Sequence, residues 1–288
     1  MRALSFLVWR RKAPDNLQVV DQTIPVRDGQ IAVRMYTPDL QGPFPTIVYF
    51  HGGGFVLGSL ETVDGACRDL CSSSGHGVIS VDYRLAPEAP FPAAPNDCLD
   101  ALNWVHHNAQ SLAVDASRLY VAGDSAGGNL AAVTALQMRD SNPELIRGQI
   151  LLYPVTHHYS YNTPSYSENA KGQGLTRNMM VWFWDLYYGG SAALADGQWT
   201  HPLSTPLAVD NLADLPPALV LTAELDPLRD EGVEYAERLS SCGVPVQHTL
   251  YACAQHGFIG TMGPTETHRR GIKEIVRWLD SQQTGAAI

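Results

Sequence analysis

The chain has 288 residues, 45% of them hydrophobic, enough for a sizeable core in one large domain or two small ones. Its 19 Lys and Arg against 29 Asp and Glu leave a net charge of −10 without long runs of one sign. That balance disfavours nucleic acid or an anionic membrane as a partner and fits plain solubility. No stretch approaches the roughly 18 apolar residues of a membrane span. The five cysteines lack zinc or redox spacing and read as free thiols of a reducing compartment.

The opening Met1–Trp9 has a short apolar run like a stunted signal peptide. Arg10, Arg11 and Lys12 follow it directly and no small-residue cleavage site appears, so it reads as an amphipathic segment packed on the body of a soluble, cytoplasmic protein. Strand-like runs at Leu17–Val26 and Ile31–Thr37 flank Arg27-Asp28-Gly29-Gln30, a hairpin signal. Alternation follows: strand Thr46–Phe50, helix Val63–Ser73, strand Gly77–Val81, helix Asn96–Asn108, strand Leu119–Ala122, helix Ser125–Met138, strand Gln149–Tyr153. After a break at about Val155–Pro216 it resumes with strand Ala218–Thr222, helix Glu231–Ser241, strand Val246–Tyr251 and helix Thr265–Ser281. Eight strands in this pattern predict a mostly parallel sheet with helices on both faces, and ligands at the carboxyl ends of its strands.

Two glycine motifs stand at such ends. His51-Gly52-Gly53-Gly54 follows one strand, and Gly123-Asp124-Ser125-Ala126-Gly127 follows another and opens a helix. A serine between glycines at a sharp strand-to-helix turn is a nucleophile elbow; the glycines let the backbone close up and leave the hydroxyl exposed. The triple glycine supplies backbone N–H groups that can approach a developing oxyanion. A serine hydroxyl needs a base and an acid to orient that base. Asp226 sits just past the Ala218–Thr222 run and before Pro227, a better strand exit than Glu224, while Asp230 and Glu231 suit the positive end of the next helix. Of ten histidines, His256 alone lies in a glycine-flanked loop after that acid. His51 reads as a brace for its own loop, and Cys253, three residues before His256, as packing.

The set His51-Gly52-Gly53-Gly54-Phe55, Asp82-Tyr83-Arg84-Leu85-Ala86-Pro87-Glu88, Gly123–Gly128, Asp226–Asp230 and His256-Gly257-Phe258 resembles the hormone-sensitive-lipase-like esterases of the α/β-hydrolase superfamily. Within them it is most similar to bacterial carboxylesterases and acetyl esterases with a GDSAG elbow, from about Ile24 to Leu279. The resemblance implies a single domain over residues 1–288, a Ser125–His256–Asp226 triad, and an oxyanion hole from the N–H groups of Gly53, Gly54 and Ala126. It implies a small-molecule ester with a short acyl group as substrate, and neither cofactor nor metal. Similar enzymes carry a helical cap; here it would comprise about 1–16 and 155–216, reduced because few residues precede the first strand. Within it a helix opening at Thr176 is apolar on most of its circumference. Met180, Trp182, Phe183 or Trp184, with Phe55 and Leu57, are the expected acyl-pocket side chains. Many similar enzymes dimerise, which makes a homodimer the assembly to test. A lipase or amidase of the same fold is the alternative reading, as is a non-catalytic ligand-binding homologue that has lost its base; His256 argues against the latter.

Overall fold

The computed structural model describes residues 17–171, 174–190, 200–260 and 263–284. The amphipathic segment expected at 1–16 and part of the expected cap, 172–173 and 191–199, lie outside the described residues. Eight strands form one sheet: β1 (Leu17–Val26), β2 (Gly29–Pro38), β3 (Phe44–Phe50), β4 (Gly77–Asp82), β5 (Val114–Asp124), β6 (Ile146–Leu152), β7 (Ala218–Leu225) and β8 (Val246–Gln255). Their order is β1-β2-β4-β3-β5-β6-β7-β8. The β1–β2 hairpin and the β2–β4 pair are antiparallel; every later pair is parallel.

The strands are apolar on both faces, and alternate residues serve two separate cores. Val48, Val81, Val121, Leu151 and Val220 point to one face, where α2 (Ala93–His107), α3 (Ala126–Ser141) and α6 (Arg229–Ser241) bring Cys98, Leu130 and Tyr235. Ile47, Val78, Tyr120, Ile150 and Leu219 point to the other, against Cys67 and Leu70 of α1 (Leu60–Ser74) and Ile275 and Trp278 of α7 (Glu266–Thr284). Each such aliphatic side chain contributes about 1.5–3 kcal/mol through burial. Among the described residues no helix is long and apolar enough to cross a membrane.

Several elements outrun their predicted bounds. β5 begins at Val114 rather than Leu119, because its polar first half, Asp115–Arg118, carries no alternation that marks a strand. The helix after the elbow begins at Ala126; Ser125 is its N-cap, with φ 57° and ψ −119°, outside helical space. Between β6 and β7 the alternation stops, as expected. The described elements there are two short 3-10 turns, Tyr159–Tyr161 and Pro206–Ala208, a single turn α4 (Pro164–Glu168), and α5 (Arg177–Tyr187), capped by the Thr176 hydroxyl accepting from Met179 N–H.

The elbow holds two layers at backbone contact. A Cβ on Gly127 would fall on the carbonyl of Phe50 in β3, and one on Gly123 would fall on the carbonyl of Gly127. Gly127→Ala is therefore expected to destabilise by at least about 3 kcal/mol, since the struck atoms are backbone and cannot rotate away. Urea unfolding of the purified variant against the parent measures it.

Candidate active site

The residues picked out by the sequence meet at the carboxyl ends of β3, β5, β7 and β8. Ser125 is 8% exposed, and its positive φ follows from the sharp turn between β5 and α3. His256 Nε2 lies 2.9 Å from Ser125 Oγ, and His256 Nδ1 lies 2.6 Å from Asp226 Oδ2. Asp226 is completely buried, and its second oxygen accepts from Leu228 N–H at 2.9 Å. With the Nδ1 proton donated to this carboxylate, Nε2 is left as the acceptor for the serine O–H.

The rival acids are engaged elsewhere. Glu224 Oε2 accepts from Cys253 N–H at 2.6 Å, Asp230 Oδ2 accepts from Ser165 N–H at 2.7 Å, and Glu231 Oε1 accepts from Thr156 N–H at 2.8 Å. Cys253 itself is exposed rather than packed, with φ 57°. Burial pushes Glu231 up to about 8, with Asp226 nearby adding to the rise, so a second carboxyl behind the site is held neutral at pH 7. His268 of α7 is buried against Asp69 of α1 at 3.1 Å.

Gly53 and Gly54 adopt φ of 123° and 63°, which glycine takes without strain. Among the described residues their N–H groups and that of Ala126 have no intramolecular acceptor. A Cβ on Gly54 would fall inside the ring of Phe183, so α5 rests directly on this loop. His51 is fully buried and stacked on Tyr83 at 4.3 Å; its Nδ1 donates to Gly52 O at 2.8 Å, the bracing role expected of it. Burial holds its pKa down at about 4, so it stays neutral.

A cavity of about 250 Å³ opens beside Ser125, lined by Gly53, Gly54, Asp124 and His256 and by the apolar Val63, Leu175, Met179 and Phe183. Of the six side chains expected on the acyl pocket, Phe183 alone lines it. Phe55 is stacked on Tyr187 at 3.9 Å in the core, Leu57 does not reach the cavity wall, and Trp182 points outward with 48% exposure. The correction follows from helical spacing. Met179 and Phe183, four apart, share the cavity face, while Met180, Trp184 and Tyr187 share the core face. A helix apolar nearly all round hid which stripe faced which way. Sequence reasoning also passed over Tyr153, whose ring meets the His256 ring edge-on at 4.9 Å and whose O–H donates to Ile259 O at 2.5 Å. Its φ of 36° has no sequence signal.

Residues 47–260 match the alpha/beta hydrolase fold family. Esterase LipI of Mycobacterium tuberculosis is 41% identical over 273 residues, covering 91% of this chain and 83% of its own. An ethyl acetate hydrolase of Pseudomonas putida is 37% identical, over 93% of this chain and 84% of its own. The solved structure of a hyperthermophilic esterase from the archaeon Pyrobaculum calidifontis superposes with a TM-score of 0.86 at 44% identity, over 92% of this chain and 84% of that one. The chain belongs to the alpha/beta hydrolase fold family. It is a carboxylic ester hydrolase, related to the hormone-sensitive-lipase-like esterases.

Proposed function

We propose that the protein is a serine carboxylesterase of the GDSAG subgroup that hydrolyses small short-acyl esters through an acyl-enzyme. The observation that carries this reading is the unbroken line from Asp226 through His256 to Ser125, at 2.6 and 2.9 Å. His256 takes the Ser125 proton as the hydroxyl oxygen attacks the ester carbonyl. The carbonyl oxygen, now negative, accepts from the N–H groups of Gly53, Gly54 and Ala126. His256 then hands its proton to the leaving alkoxide, and water repeats the sequence on the acyl-enzyme, returning the acid and the free serine. Each oxyanion donor contributes about 3–4 kcal/mol to transition-state stabilisation. The carboxylate of Asp226 stabilises the imidazolium formed between the steps. No metal or cofactor has a part in these steps.

The short-acyl preference rests on the cavity's limited volume and apolar lining, and the Pseudomonas putida relative, an ethyl acetate hydrolase, supports it. With p-nitrophenyl esters from C2 to C16, kcat/KM is expected to peak at C2–C6 and to fall at least tenfold by C12. A peak at C12 or beyond makes the enzyme a lipase and removes the short-acyl reading.

A further inference from the structure

We propose that two residues of the segment between β6 and β7, Ser165 and Asn169, are positioning residues for the catalytic acid: they hold the backbone on which Asp226 stands, so that its carboxylate stays aimed at His256. This deepens the proposed function and rests on it.

The sheet alone gives the acid uneven support. β7 stays paired with β8 as far as Leu225 opposite Gln255, one residue before both the acid and the base. Its ladder with β6 stops earlier, at Leu221 opposite Leu152. Beyond these pairs the backbone carbonyls are taken up by α4 and the residue that ends it. Asn169 Nδ2 donates to Asp226 O at 3.2 Å and to Glu224 O at 3.4 Å, spanning the residue between them. Ser165 Oγ donates to Pro227 O at 2.6 Å, and Ser165 N–H donates to Asp230 Oδ2 at 2.7 Å. An ion pair from Glu168 to Arg229 at 2.7 Å closes the outer side of the same contact. Ser165 is fully buried and Asn169 is 6% exposed, so water competes little for these carbonyls. The Asn169 amide has one workable orientation, because its oxygen turned inward would face two other carbonyl oxygens.

The carboxylate of Asp226 cannot hold its own place. Oδ1 accepts from Leu228 N–H, and Asp226 O accepts from Arg229 N–H, but both donors belong to the same turn and move with it. The bonds from Ser165 and Asn169 come from outside that turn and tie it down. Their segment also leads to the cavity wall. Ala170 O accepts from the N–H of Arg177, the first residue of α5, whose turns carry Met179 and Phe183. One stretch of chain therefore walls the cavity and backs the acid. Displacement of a catalytic group by about 1 Å can cost about 100-fold in rate, so a loosened turn is expected to show in turnover before it shows in substrate binding.

The test compares wild type with Ser165→Ala and Asn169→Ala on p-nitrophenyl butyrate. Each variant is expected to lose about tenfold in kcat, a partial form of that displacement, with KM within about threefold. The downfield proton resonance of His256 Nδ1–H, which reports its bond to the carboxylate, moves upfield in both. Tyr161→Phe removes a different bond between this segment and α6, from the Tyr161 O–H to Glu234, without touching the acid turn, and keeps kcat within about twofold. A kcat within twofold of wild type in both alanine variants overturns the assignment. So does a loss of kcat with the Nδ1–H resonance unmoved, or an equal loss in Tyr161→Phe. If the alanine variants fail to fold, wild type decides. A short trifluoromethyl ketone adds to Ser125 and leaves the serine proton on His256, creating an imidazolium beside Asp226. The Asn169 side-chain amide resonances then move, although Asn169 does not line the cavity; unmoved resonances overturn the assignment. Failure of the underlying reading looks different: wild type then hydrolyses no ester, or Ser125→Ala retains the activity.

Discussion

Replacing Ser125 with alanine is expected to lower kcat by at least about 10,000-fold while the protein folds as before. Among the described residues Ser125 Oγ bonds only to His256 Nε2, so alanine removes that hydrogen bond and no other. The backbone at this position already holds φ 57°, which alanine shares with serine as an L residue, so the substitution adds no new strain. About 10,000-fold is roughly 5.5 kcal/mol of barrier, more than any single neutral hydrogen bond supplies, because the covalent step itself is lost. A residue of catalysis over water should survive, since an intact oxyanion loop still binds the carbonyl. Thermal midpoints within about 3 °C of each other and turnover of p-nitrophenyl butyrate are the measurements. Substantial turnover by the variant would move the nucleophile elsewhere and take the acyl-enzyme with it.

The sequence speaks clearly where chemistry forces a local choice. Gly123, Gly127, Gly53 and Gly54 mark their turns because backbone stands where a Cβ would go, or because φ is positive. The strand–helix alternation is equally local, and by itself it places Ser125, Asp226 and His256 at strand ends. What stays hidden depends on contacts between distant segments. Nothing near Asp124 says that its carboxylate meets Gly52, 72 residues away, and it reads only as the variable letter of an elbow motif. The cap helix fails for a different reason: with Met180, Phe183 and Trp184 all apolar, periodicity cannot say which stripe meets the cavity. The Met179–Phe183 spacing was visible, but its orientation is set by where Gly54 lies beneath it. His268 shows the same limit, since its partner Asp69 comes from a helix 199 residues earlier.

Asp226→Asn is expected to cost about 10,000-fold in kcat with little change in KM, although the two side chains have the same shape. The asparagine carbonyl would keep the place of Oδ1, accepting from Leu228 N–H, now at 2.9 Å. Its amide nitrogen would then face His256 Nδ1 and donate to it. That forces the ring proton onto Nε2, where it points at Ser125 and can no longer accept the serine proton. The geometry survives while the base is lost, so a fall in kcat without loss of fold separates orientation of the imidazole from mere support. Glu224→Gln is the matched control on the same strand. Glu224 accepts from Cys253 N–H, a bond a glutamine oxygen can also accept, so this variant should keep kcat within about threefold. If instead the Glu224 variant lost activity and Asp226→Asn kept more than a tenth of it, the acid would be Glu224. The 2.6 Å contact to His256 would then be incidental to turnover.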